Sequence, residues 1–153
     1  MVNEINVAKH YDKSDLYEVI KKGLLESGLV LDSLSSENLS IVDEFHIGGT
    51  SGTKFVTEKL NSTETSKILD IGCGIGGPAR FLAENSNCSV TGIDLTASYI
   101  ETGNKLTKLV GLEDKVQLVS ASALEIPFGK NTFDSSYTVS YTHLRAHETR
   151  HDL

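Results

Sequence analysis

The chain has 153 residues, a formal net charge of −7 and 39% hydrophobic residues, which suits one domain with a modest core. The acidic balance disfavours a nucleic-acid face or an anionic membrane surface and leaves small molecules as the natural partners. No stretch reaches transmembrane length, and Met1-Val-Asn-Glu-Ile-Asn6 lacks the basic and apolar regions of a signal peptide, so a cytoplasmic location is expected.

Residues 14–27 carry Leu16, Val19, Ile20, Leu24 and Leu25 at helical spacing behind an N-cap serine, which predicts an amphipathic helix. Residues 29–39 are polar and Ser-rich and are expected to connect. A second helix is predicted over 51–60. Then come a strand over 67–72, a helix over 77–84, a strand over 89–94, a helix over 97–110, and strands over 116–121 and 132–137. Such alternation implies an α/β fold with a doubly wound parallel sheet, preceded by N-terminal helices.

The run Lys67-Ile-Leu-Asp-Ile-Gly-Cys-Gly-Ile-Gly-Gly-Pro-Ala-Arg-Phe-Leu82 is the most informative stretch. Ile68, Leu69 and Ile71 suit a strand buried on both faces, and Gly72 stops it. Gly72, Gly74 and Gly77 fit a G-x-G-x-x-G pattern, in which missing β-carbons permit a sharp turn and close approach of a ligand to the backbone. Pro78 stands where a first helical turn tolerates it. The next strand ends in Asp94, about 20 residues past the turn, where a carboxylate can accept both ribose hydroxyl protons. Asp94 is equally placed to be the N-cap of the following helix.

Asp70-Ile-Gly-Cys-Gly-Ile-Gly-Gly77, Gly92-Ile-Asp-Leu-Thr96, Ala123-Leu-Glu-Ile-Pro-Phe128 and Phe133-Asp134 together resemble the ordered motif series of class I S-adenosylmethionine-dependent methyltransferases of the small-molecule type. The resemblance spans about residues 67–137. It implies a Rossmann-like sheet of that type, S-adenosyl-L-methionine as cofactor and a small-molecule methyl acceptor bearing an N, O or C nucleophile. A nicotinamide-dinucleotide dehydrogenase shares the first two motifs, and a non-catalytic adenosine-binding module is the remaining alternative. The third motif favours the methyltransferase, whose adenine pocket it resembles.

On this resemblance Gly72, Cys73, Gly74 and Gly76 belong to the turn that lines the amino-acid portion of the cofactor, and Asp70 contacts its ammonium directly or through water. Asp94 takes the ribose hydroxyls, Leu95 packs on the adenine, and Ser122 and Ala123 stand at the adenine edge. Many relatives carry an acid where this chain has Ser122, so one contact to the adenine amino group is weakened. Upstream, Asp43-Glu-Phe-His-Ile-Gly-Gly49 is similar to a segment preceding the core in such enzymes. Ile47, Gly48 and Gly49 then close the methionine end, and His46 either faces the substrate or is a turn histidine. No further catalytic residue is assigned, because relatives place substrate and base residues after the fourth strand. Cys73 and Cys88 read as packing residues rather than a disulfide or a nucleophile.

Val139-Ser-Tyr-Thr-His-Leu-Arg-Ala-His-Glu-Thr149 reads as one translated frame of a sequencing-library adapter and is set apart from fold reasoning. His143, His147 and His151 therefore carry no metal site, although their spacing would place three imidazoles on one helical face. Discounting Arg145, Arg150, Glu148 and Asp152 removes two charges of each sign, so the acidic balance stands. The organisation expected is a helical cap over 1–60, the N-terminal half of the cofactor-binding core over 61–138, and a non-native tail over 139–153. The sheet is then incomplete at its C-terminal side, and the chain as given is expected to be an inactive fragment.

Overall fold

A computed structural model describes residues 16–43 and 49–139. Among the described residues three helices come first: α1 (Leu16–Glu26), α2 (Ser36–Asp43) and α3 (Gly49–Lys59), with a short 3-10 turn at Leu31–Ser33. The core alternates β1 (Lys67–Ile71), α4 (Gly77–Ser86), β2 (Ser89–Asp94), α5 (Ala97–Leu109), β3 (Val116–Ser120) and β4 (Ser135–Tyr137). All pairings in the sheet are parallel, in the order β3-β2-β1-β4. The chain steps outward from β1 through β2 to β3, then returns to the other side of β1 with β4. That reversal opens a crevice at the carboxyl ends of β1 and β4.

The stretch over 29–39, expected to be a connection, contains the first half of α2. Its start is a reciprocal cap. The Ser35 N–H donates to Asn38 Oδ1 at 2.9 Å, and the Asn38 N–H donates to Ser35 Oγ at 3.4 Å, with Asn taking the place usual for Glu in a capping box. Only Leu39 among its apolar residues is fully buried, too weak a periodic signal to reveal a helix. Strand β1 ends one residue early, because Gly72 turns away with φ +75°. Strand β4 begins only at Ser135, because the Asp134 side chain instead accepts the Lys67 N–H at 2.7 Å, and the Asp134 N–H donates to Lys67 O at 2.8 Å. Asp134 thus stitches β4 to the start of β1, at the end of the sheet opposite the crevice. Phe133 packs edge-on to Phe128 with ring centroids 5.1 Å apart.

Ile68, Leu82, Ala83, Val90, Val116, Leu118 and Tyr137 form the main core. A second cluster joins Ile20, Leu24 and Leu39 of the N-terminal helices, with Leu34 of the connection between them, to Leu106 of α5 and to Ile75 of the glycine turn. The turn is therefore packed from beneath as well as tied to the sheet. Gly103 lets α5 approach: a Cβ there would stand 2.4 Å from Leu118 Cδ1 and 2.7 Å from the Ile75 carbonyl oxygen. Gly103→Ala is expected to destabilise the fold by about 1–3 kcal/mol through overpacking, despite the gain in helix propensity that Ala normally brings. Urea denaturation measures it, and an unchanged or higher midpoint would contradict the tight fit. No helix among the described residues is long and apolar enough to cross a membrane.

Candidate cofactor site

The glycine turn between β1 and α4 is held by its own backbone and by β2. The N–H groups of Gly72 and Cys73 donate to Ile93 O at 2.9 and 3.0 Å, and the Gly76 N–H donates to Cys73 O at 2.9 Å. Gly72, Gly74 and Gly76 all have positive φ, at +75°, +55° and +85°, a region that favours glycine. Their surroundings differ. A Cβ on Gly74 would meet no heavy atom within 4 Å, whereas one on Gly76 would lie 2.7 Å from Leu118 Cδ1. Gly74 is open to a ligand's approach, and Gly76 is small because the core lies against it.

Asp94 is not the N-cap of α5. That position is Thr96, whose carbonyl accepts the N–H groups of Tyr99 and Ile100 at 3.0 and 3.2 Å. The Asp94 carboxylate instead bridges two backbone groups, accepting the Thr96 N–H at Oδ1 (2.9 Å) and the Gly74 N–H at Oδ2 (3.0 Å). It couples the end of β2 to the glycine turn, and each oxygen keeps a second lone pair for a hydroxyl donor. Leu95 beside it is half-buried. Ala121 is fixed by its N–H bond to Asp94 O at 3.0 Å. Beyond it Ser122 Oγ accepts the Leu124 N–H at 3.1 Å, so Ser122 and Ala123 line the same rim of the sheet as Asp94.

Asp70 lies on the other side of the turn, 1% exposed, in register with Tyr137 across the β1–β4 pairing. The Tyr137 hydroxyl donates to Asp70 Oδ2 at 3.1 Å. Burial raises the Asp70 carboxyl to about 7; the Tyr137 hydrogen bond offsets part of this, and the Asp94 charge adds to it. Burial also pushes the Tyr137 hydroxyl well above its ordinary range. Two mutually repelling carboxylates thus bracket the turn, one half-buried and one fully buried, an arrangement suited to a cation.

Cys73 and Cys88 are free and buried, and burial raises both thiols. Neither is expected to react with a disulfide reagent until denaturant is added, since the thiolate and access are both lacking; labelling in native buffer would refute this. Gly49 opens α3 with φ +47° and free space at its Cβ position. His46, Ile47 and Gly48 lie outside the described residues, as do the histidines of the tail. Among the described residues no group of three metal-ligating side chains occurs.

Sequence reasoning missed Tyr137 and a buried ion pair, in which Arg80 Nη2 donates to Asp43 Oδ2 at 2.7 Å with both side chains essentially inaccessible. The signal for the pair was an arginine flanked by Ala79, Leu82 and Ala83 on the inner face of α4.

A family model described as "Methyltransferase domain" matches residues 68–152, and so runs into the segment that the sequence reading set apart. Cycloartenol-C-24-methyltransferase of Arabidopsis thaliana is 38% identical over 88 residues, covering 58% of this chain and 26% of that protein. The chain spans about a quarter of the length of the curated relatives it matches. A geranyl diphosphate methyltransferase solved with GPP and sinefungin is 27% identical with a TM-score of 0.57, covering 59% of this chain and 34% of that one. The [4+2]-cyclase SpnF is also 27% identical, with a TM-score of 0.53 over 55% of this chain and 31% of its own. The glycine turn closed onto β2 by Asp94, the parallel sheet that carries it and the matched residues together place the chain in the methyltransferase domain family.

Proposed function

We propose that the protein is an S-adenosylmethionine-dependent methyltransferase with a small-molecule acceptor. The observation that carries this is the pair of carboxylates, Asp70 and Asp94, on either side of a glycine turn whose Gly74 face is open. A dinucleotide pyrophosphate would be repelled there.

The donor set fits the cofactor. S-adenosylmethionine supplies a methyl on a sulfonium already activated for transfer. In its ionised form Asp70 balances an ammonium, and Tyr137 holds that carboxylate in one orientation. Asp94 orients a ribose through the lone pairs left after its two backbone bonds. Leu95, Ser122 and Ala123 form the adenine side, where a backbone N–H can meet a ring nitrogen. Gly72, Cys73, Gly74 and Gly76 shape the turn, while Ile47, Gly48 and Gly49 close the methionine end and His46 is the one candidate to face an acceptor. What remains for the protein is to align a nucleophile with the methyl group. A general base is needed only where the acceptor must lose a proton.

The relatives named for cycloartenol and geranyl diphosphate add alkene-bearing isoprenoids to the acceptor classes of amines and quinone-like compounds. Residues 1–60 serve as a helical cap, and the protein works in the cytoplasm. The experiment is to supply the full-length protein with methyl-labelled cofactor and a panel of these acceptors. Label transfer to one of them is the expected result; cofactor binding without transfer to any would refute the assignment. That second outcome would favour a binding or cyclase-like role, a reading supported by the similarity to SpnF.

A further inference from the structure

Arg80 stands in α4 with no exposed surface. Its guanidinium donates to Asp43 Oδ2 at 2.7 Å, to Thr107 Oγ1 at 3.0 Å and to Gly103 O at 3.2 Å, and its Nε has no hydrogen-bond partner among the described residues. Stability alone does not explain such a group. Desolvation takes back most of the attraction of a buried ion pair, and well-packed apolar side chains hold helices together at least as well. What a guanidinium adds is direction, because its planar fork fixes several acceptors at set angles.

Those acceptors lie on two elements other than α4, and two of them stand against the glycine turn and the start of α4: Gly103 faces the Ile75 carbonyl, and Asp43 faces Gly77. Asp43 ends α2, and a Cβ on Gly77 would stand 2.7 Å from the Asp43 carbonyl oxygen and 2.9 Å from its Oδ1. A Cβ on Gly76 would stand 3.1 Å from Arg80 Nη1. Gly103 and Thr107 belong to α5, the helix that follows Asp94, and Asp94 in turn accepts the Gly74 N–H.

We propose that Arg80 is a positioning residue: gripping the end of α2 and the middle of α5, it holds the glycine turn in register with Asp94 so that the pocket is preformed. It touches no cofactor. The ligand readout of this assignment rests on the methyltransferase reading, and the backbone readout does not.

The test compares the unaltered chain with Arg80→Lys and with the double variant Asp43→Leu/Arg80→Met, which removes both charges and refills the space. Thermal unfolding reports folding, amide hydrogen exchange reports the turn, and calorimetry reports S-adenosylmethionine binding. The double variant is expected to unfold cooperatively within a few degrees of the parent. Its Gly74 and Gly76 amides are expected to exchange about tenfold faster or more while those of β1 and β2 hold, and its cofactor affinity to fall about tenfold or more. Arg80→Lys, with charge but no fork, is expected to fall between. Unchanged exchange at the turn in the double variant overturns the assignment. Where the double variant does not fold, Arg80→Lys decides: faster turn exchange at an unchanged melting point supports the assignment, and parental exchange overturns it. Faster turn exchange in a chain that binds no cofactor in any form supports the role of Arg80 and refutes the cofactor reading instead.

Discussion

Asp70→Asn is expected to raise the melting temperature of the ligand-free chain above pH 7 while weakening S-adenosylmethionine binding roughly tenfold to a hundredfold, the worth of a charge-assisted hydrogen bond. The two effects share one cause. Burial, partly offset by Tyr137 and reinforced by Asp94, lifts the Asp70 carboxyl from 3.8 to about 7. Below pH 3.8 the folded and unfolded chains both hold the proton, and the contribution of this group is fully favourable. Between there and about pH 7 the unfolded chain has released its proton and the folded chain has not. Stability is therefore lost progressively as pH rises through that window, by up to about 4 kcal/mol once the folded carboxyl ionises.

Asn removes the titration and keeps an oxygen for the Tyr137 hydroxyl. A cation beside Asp70 favours the ionised form, so cofactor binding by the unaltered chain is expected to strengthen between pH 6 and pH 8 with release of a proton. Calorimetry in buffers of different ionisation enthalpy measures that proton directly. A pH-independent affinity with no proton released would sink the account, as would a melting temperature unmoved by the substitution.

Arg80→Met by itself is expected to be far more damaging than the double replacement described above. With the guanidinium gone, the Asp43 carboxylate remains buried and loses its 2.7 Å partner, a situation that typically costs about 3–5 kcal/mol. Domains of this kind are held by only about 5–15 kcal/mol, so the single variant is expected to lose most of its folded population at moderate temperature. Urea denaturation of the parent, the two single variants and the double variant closes a thermodynamic cycle. A double variant no more stable than Arg80→Met would show that an uncompensated charge is not the cause.

Much of the fold was legible because its signals are local. Ile68, Leu69 and Ile71 could form a buried strand and little else, Gly72 and Gly74 could adopt a backbone that other residues resist, and Pro78 could only begin a helix. The parallel sheet follows from that order of elements, and the family motifs mark the same turn and the same acid at the end of β2. The α2 helix escaped notice because its Ser-rich sequence carries one fully buried apolar side chain, Leu39. It stands on a Ser35–Asn38 cap and on Asp43 meeting Arg80, and the second of these is invisible without the third dimension. From sequence Asp94 reads as a ribose ligand with a helix N-cap as the alternative; the N-cap is Thr96, and the two backbone donors of Asp94 are 2 and 20 residues away.

The sequence by itself determined where the strands, the glycine turn and the carboxylates lie along the chain, because backbone conformation at glycine and proline and the burial of apolar runs are properties of neighbouring residues. Only the tertiary structure decided what those carboxylates experience. Asp70 acquires its raised carboxyl from burial, partly offset by the hydrogen bond from Tyr137, which stands 67 residues away in sequence and directly opposite in register. Arg80 acquires its partner 37 residues upstream. Charge and desolvation act through space, so their consequences appear only when the sheet has brought the ends of β1, β2 and β4 together.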